Sequence, residues 1–285
     1  MYRLPFTRKL PQSGMALIAV LWIVAALSVI VASMSRAARQ EVRAVSSARQ
    51  TVAGQALGLA AIQLVLQDMT SRSGRSQAST QVNTVFKDIE VRVKILPLTG
   101  LIDINNAPQA LLAGLFVHAG GVQPRPAGDL AAAVAQARSA RDARGRVIGF
   151  EATEDLLRVP GVDYTLYAKI SALITADLTG SGRVSPAAAP PEVLAVLAGG
   201  NTSRAGIAAQ QGAGQPGVDI TALNGEFIDS NTYTQRFQLQ ARVPLPDGSW
   251  LMVSRTVDLS SGDNGLQWRV LHGDSRFEPA AAERI

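Results

Sequence analysis

Two histidines and no cysteine leave this chain of 285 residues with few of the usual reactive groups. Without thiols there is no disulfide framework, thiolate metal site, zinc finger or cysteine nucleophile. His118 lies in a glycine-rich turn, and His272 follows the last strand that the pattern predicts. Neither lies near a Gly-x-Ser-x-Gly or another nucleophile signature, so the sequence reads as that of a protein that is not an enzyme. Oxygen donors are better represented. Asp103, Asn105 and Asn106 could hold a hard cation, but their spacing is not that of an EF-hand loop. Turn and capping roles account for them equally well. A second set, Asp219, Glu226 and Asp229, falls in one predicted loop and could supply carboxylate ligands to a metal. Residues 154–175 resemble a helix-hairpin-helix, whose hairpin glycines can offer amides to a phosphate. Here Gly161 is followed two positions later by Asp163, whose carboxylate would repel phosphate. Only Arg158 and Lys169 are nearby, and the net charge of +5 is scattered. A structural hairpin, with no nucleic-acid partner, is the expected outcome.

The remaining chemistry is done to the chain. A leader carrying Arg3, Arg8 and Lys9 ends in Gly14, directly before the apolar run that starts at Met15. No charged residue occurs between Lys9 and Arg36. A bilayer-spanning helix needs about 20 apolar residues, and this stretch supplies them. The basic leader should stay cytoplasmic. A cleaved signal peptide would have a shorter apolar region ending in a small-x-small site. A plain anchor helix explains the hydrophobicity but not the glycine boundary. Arg36, Arg39 and Arg43 follow on one helical face, suited to a membrane surface, a neighbouring chain or simple solvation.

These residues need elements to position them. Hydrophobic residues make up 47% of the chain and aromatics only 5%, which points to an Ala/Leu/Val-rich and largely helical protein. From Ser35 to Met69 the helical pattern continues. Val42, Val45, Val52, Ala56, Leu59, Ile62, Val65 and Leu66 sit mostly at three- and four-residue spacing, predicting one apolar stripe. Gly54 and Gly58 weaken it. Residues 70–79 read as a loop. Ile89, Val91, Val93 and Ile95 alternate with charged residues, as in a half-buried strand, and 81–86 is a partner for it. Asn106 is the expected N-cap of the next helix, with Pro108 in its first turn. Thr153 is the expected cap of another helix. Gly100, Ala107, Pro108, Leu112, Ala113 and Leu115 align without gaps with Gly182, Ala189, Pro190, Leu194, Ala195 and Leu197. Duplication of a short helical unit accounts for this, as does chance in a chain rich in Ala and Leu. Residues 199–224 read as a mobile linker. Alternating residues from Phe237 to Val243, the Asp247–Gly248 turn signal and two further apolar runs predict three antiparallel strands. The end, from Phe277, reads as a disordered tail.

The Gly14–Met15 junction, the stretch SGMALIAVLWIVAALSVI and the inserted INNAPQALL and EDLLRVPGV segments resemble the type IV pilin and pseudopilin family. Within it the chain is most similar to the K-type minor pseudopilins of type II secretion (the general secretion pathway protein K family). The resemblance implies an α+β fold: a long pilin-like N-terminal helix packed on an antiparallel sheet, with a large inserted α-helical domain. It divides the chain into a cytoplasmic leader (1–14), a helix (15–69, its 15–35 part transmembrane) and first strands (70–98). An inserted domain (99–200), a linker with C-terminal strands (201–275) and a tail (276–285) follow.

It also implies cleavage after Gly14 and methylation of Met15 by a prepilin peptidase. Most family members carry a glutamate at the fifth mature position, which here is Ala19. Inside a filament such a carboxylate pairs with a neighbour's terminal amine where the dielectric is low. Its absence fits a tip subunit with no neighbour on one side. Ala19, Leu21, Trp22 and Leu27 would then be assembly-helix residues. Implied partners are the I- and J-type minor pseudopilins, the major pseudopilin, the prepilin peptidase and the inner-membrane assembly platform. Some K-type relatives bind calcium in the insert, which makes calcium the cofactor to look for. The implied location is the inner membrane, single-pass, with the bulk in the periplasm. Two other readings stay open: a minor pilin of a type IV pilus or DNA-uptake system, and a membrane-anchored periplasmic protein.

Overall fold

The computed structural model describes residues 13–71, 77–86, 88–141, 143–178, 180–206, 220–260, 262 and 265–278; the side chains of 13–16, 29–44 and 222 lie outside that description. The chain divides at Ala53–Gly54 into two units.

The first unit is helical throughout its described part. Helix α1 covers Ser13–Ser71, 59 residues, and so continues into the second unit. Leu17, Ile18, Val20, Leu21, Trp22, Ile23, Val24 and Leu27 are all exposed. Ser28 donates its hydroxyl hydrogen to the Val24 carbonyl at 2.8 Å, so this one polar side chain is satisfied inside the helix.

The second unit begins with the rest of α1 and holds two large cores. One lies between α1 and a sheet of order β1-β2-β5-β6-β7, antiparallel throughout. Its strands are β1 (Thr80–Phe86), β2 (Ile89–Pro97), β5 (Arg236–Pro244), β6 (Trp250–Asp258) and β7 (Arg269–Glu278). The period-two pattern places Val91, Val93, Phe237, Leu239, Ala241, Val243, Leu251 and Val253 on the α1 side, all fully or nearly fully buried. Ala61, Ile62, Val65 and Leu66 of α1 close this core. The predicted helix stripe therefore needs correction. Val45, Val52 and Leu59 are exposed, and the face against the sheet runs through Gly54, Gly58, Ala61, Ile62 and Val65. The two glycines are the reason. A Cβ at Gly58 would lie 2.7 Å from Val253 Cγ2, and one at Gly54 would lie 2.9 Å from Leu245 Cδ2. Their lack of a side chain lets the helix backbone approach the sheet.

The other core belongs to a helical block inserted between β2 and β5, with α2 (Gln109–His118), α3 (Pro124–Arg138), α4 (Tyr164–Ile170) and α5 (Pro191–Leu197). Two short parallel pairings support it. β3 (Ile102–Asp103) pairs with β4 (Ile174–Thr175), and Val184 bridges Ile228. This core includes Ala205, Leu223 and Ile228, so the insert extends past residue 200. Residues 202–206 are helical, which narrows the predicted linker. Helix α2 starts one residue after Pro108, which is its N-cap and makes no side-chain cap bond; Asn106 is not the cap. Thr153 opens a 3-10 turn, Thr153–Arg158, whose N-cap is Ala152. Helix α1 extends to Ser71, beyond the predicted start of the loop. The last strand reaches Glu278, so His272 lies inside β7, and Arg276, Phe277 and Glu278 pair with Met252, Leu251 and Trp250.

The two aligned units pack against each other reciprocally. A Cβ at Gly100 would lie 2.3 Å from the Ala188 carbonyl oxygen, and one at Gly182 would lie 2.0 Å from that of Asn106. Ala188 is the position that aligns with Asn106, so each unit's glycine meets the same point of the other unit. Gly114 faces Val196, its own counterpart, at 3.8 Å, and Gly200 lies against His118, its counterpart, at 2.5 Å by the same measure. Reciprocal and self-facing contacts are the mark of two copies related by a local twofold.

Candidate functional site

Gly14 and Met15 lie in the first turns of α1, with their side chains outside the description. Ala19, Leu21, Trp22 and Leu27 follow on the same helix, and Trp22 is 74% exposed. A helix that is apolar all round is stable only against lipid or other apolar helices. Among the described residues, Val45–Ser71 is the stretch long and apolar enough to cross a membrane. Ala61, Ile62, Val65 and Leu66 within it are nevertheless buried against the sheet. Exposure, rather than mean hydropathy, thus makes the N-terminal apolar segment the candidate anchor and assembly surface.

The oxygen-donor sets do other work. Asp103 is buried, and its carboxylate accepts hydrogen bonds from the Asn105 N–H at 2.9 Å and the Asn106 amide at 2.5 Å. The Asn105 side-chain amide donates to the Phe150 and Ala176 carbonyls at 2.9 and 3.1 Å and accepts from the Phe150 N–H at 2.8 Å. Arg138, at the end of α3, donates to the Ala107 carbonyl at 2.7 Å. Asn105 and Arg138 therefore clamp the 103–107 segment to three others of the insert. Burial raises the Asp103 pKa, while the Asn106 and Asn105 hydrogen bonds and the Arg138 charge act against that rise.

Asp219 lies outside the described residues. Glu226 is exposed. Asp229 donates its N–H to the Val184 carbonyl at 3.0 Å, and its carboxylate accepts from the Asn231 N–H at 3.0 Å. Among the described residues no group of three acidic or histidine side chains is placed to hold a metal.

At the hairpin, Asp163 caps α4, accepting from the Leu166 N–H at 2.7 Å. A carboxylate thus fills the position that a phosphate would take. The Asp155 carboxylate similarly accepts from the Glu151 and Ala152 N–H groups at 2.9 and 3.1 Å. His272 meets Asp177 at 3.1 Å, joining β7 to the insert. Arg236 donates to the Asp177 carbonyl and, through Nε at 2.9 Å, to the buried Asp258 carboxylate. Burial of Asp258 would raise its pKa, but the bonds from Ser260 and the Arg236 charge outweigh that and lower it. These ties between insert and sheet join residues far apart in sequence. No local pattern announces them.

No family model matches the chain, and no curated protein does. Among solved structures, the chain is similar to the GspK–GspI–GspJ complex from the type 2 secretion system of enterotoxigenic Escherichia coli. Identity is 14%, the TM-score is 0.47, and the match covers 83% of this chain and 99% of that one. At that identity and TM-score the likeness carries no weight here, and fold and site rest on this chain's own residues.

Proposed function

We infer that this chain is a structural subunit of a secretion filament: a minor pseudopilin of the K type, placed at the tip of a type II secretion pseudopilus, where it starts or caps assembly. The observation that carries this reading is the division of labour along α1. Its first part presents apolar side chains on all sides, and its last part is a packed element of an antiparallel sheet with a helical insert. Such a helix can leave the membrane for a bundle of similar helices without exposing its apolar surface to water. Ala19 removes the acidic group that a subunit with a neighbour above it would need to pair that neighbour's amine.

The partners in this reading are the I- and J-type minor pseudopilins, the major pseudopilin, the peptidase and the inner-membrane platform. The bulk would lie in the periplasm.

The test is intact mass and N-terminal peptide analysis of the full chain from a Gram-negative host with a prepilin peptidase. The expected product starts at an N-methylated Met15. A chain still starting at Met1, or cut near Ser33, would sink the filament reading and leave a membrane-anchored periplasmic protein. Ala19→Glu tests the tip assignment: it should leave the fold intact and change the subunit's place in assembly.

A further inference from the structure

The sheet face turned away from its α1 core carries a row of cations, and the register sets them in line. Arg92 of β2 lies directly across from Arg242 of β5, Arg242 across from Met252 of β6, and Met252 across from Arg276 of β7. Lys94 shares this face of β2, two residues on from Arg92. Neighbouring strands are about 4.8 Å apart, and like charges directly opposite each other destabilise a sheet. Packing does not call for them, because the core lies on the other face. Glu278 offsets part of the row, 3.2 Å from Arg242 Nε and 3.9 Å from Arg276. Arg242 is also held over the Trp250 ring, 4.3 Å from its centroid, so its guanidinium is fixed in place. Among the described residues no carboxylate pairs with Arg92 or Lys94. Acids border the row on the same face: Glu90 precedes Arg92 on β2, and Asp274 precedes Arg276 on β7. An anionic membrane or a polyphosphate chain would meet these as repulsion. A peptide can set carboxylates on the row and neutral or basic residues beside it, so the charge pattern fits an acidic peptide. There is room for its main chain. A cleft of about 480 Å³ opens beside Met252 and Arg276, between the sheet and the insert, with Gln240, Ser254 and Thr153 among its polar walls.

We propose that the row of Arg92, Arg242 and Arg276, with Lys94, is a docking surface for an acidic segment of a neighbouring filament subunit, whose carboxylates pair with the guanidinium forks. This rests on the filament reading, since that supplies the neighbour.

The experiment co-purifies the full chain, in detergent, with the minor pseudopilins of its own secretion system and treats the complex with a carbodiimide, which joins a lysine to a carboxylate in direct contact. The lysines are Lys9, Lys87, Lys94 and Lys169, so the joined peptides are told apart by mass. Lys94 should be joined to an aspartate or glutamate of a partner subunit. Arg92→Glu should reduce recovery of the complex about tenfold. Its melting temperature should stay the same or rise, because the new carboxylate faces Arg242. Arg204→Glu, an equal change of charge at an exposed position of the insert, should be recovered normally. If the complex forms but Lys94 is not joined to a partner, or Arg92→Glu is recovered as well as Arg204→Glu, the docking row is overturned and the filament reading stands. If the unaltered chain recovers no partner, both fall. Binding to phosphatidylglycerol vesicles that Arg92→Glu abolishes while leaving the complex intact would overturn the choice of occupant.

Discussion

In the sheet core, alternate side chains of β2, β5 and β6 meet one face of α1, and the two glycines on that face are spacers between helix backbone and side chains. In the insert, two copies of a glycine–strand–helix unit lock together, and each glycine lies against main chain of the other copy. The first contact is side chain against backbone and can adjust, because helix and sheet can shift as units and the Leu245 side chain ends in rotatable methyls. The second is backbone against backbone. It holds a fixed separation, so the insert should be the less forgiving of the two cores.

The sharpest test of that contrast is Gly182→Ala. The new Cβ would fall on the Asn106 carbonyl, and the backbone there has φ +71°, which disfavours any side chain. A loss of about 4 kcal/mol or more in chemical denaturation is expected. Gly100→Ala meets the matching carbonyl and should be nearly as severe. If either variant unfolds like the unaltered protein, the paired copies are not what holds the insert. Gly58→Ala should cost less, about 1–3 kcal/mol, as α1 and the sheet shift apart slightly at Val253.

Asp258→Asn is next, at about 2 kcal/mol near neutral pH, from its weakened bonds to Arg236 and Ser260. Its carboxyl is held below the ordinary value of 3.8. The stability it contributes is therefore complete above that pH and lost as pH falls below it through the lower native value. The variant should show a flatter acid limb when unfolding midpoints are followed from pH 6 downward. Asp103 acts with opposite sign. Its native pKa is raised above 3.8, so its contribution is complete below that pH and declines as pH rises toward the native value. Acidification should thus loosen the Arg236–Asp258 corner while sparing the asparagine clamp. The smallest effect belongs to Gly248→Ala in the β5–β6 turn. It has φ +82° but open space around it, so only the backbone penalty of about 1 kcal/mol applies, measurable as a small fall in melting temperature.

Much of this architecture was legible in the residue pattern. Period-two alternation from Phe237 to Val243 gave both the strand and its buried face, because a strand's geometry leaves one side to each residue. The gapless match between the two units fell on segments that pack on one another, and the uncharged run after Gly14 is helical, with the described side chains of Leu17–Ser28 exposed. The readings that failed were those of competing local roles. Asn106 looked like a helix cap because asparagine commonly is one, yet Asp103, three residues back, holds its amide. Thr153 looked like the cap of a helix because threonine commonly is one, yet it opens a 3-10 turn whose N-cap is Ala152.

The sequence by itself determined where most of the elements lie and that the N-terminal part of α1 is an uncharged apolar run. These follow from spacing, composition and the cost of leaving apolar surface in water. The tertiary structure alone decided which face of α1 meets the sheet, that Gly54 and Gly58 are contact points, and that Gly100 and Gly182 each fit against the other copy. It alone decided that Asp103 is buried in a clamp of hydrogen bonds and that His272 of the last strand meets Asp177 of the insert. Each of these depends on what lies opposite a residue, brought there by chain from far away in sequence.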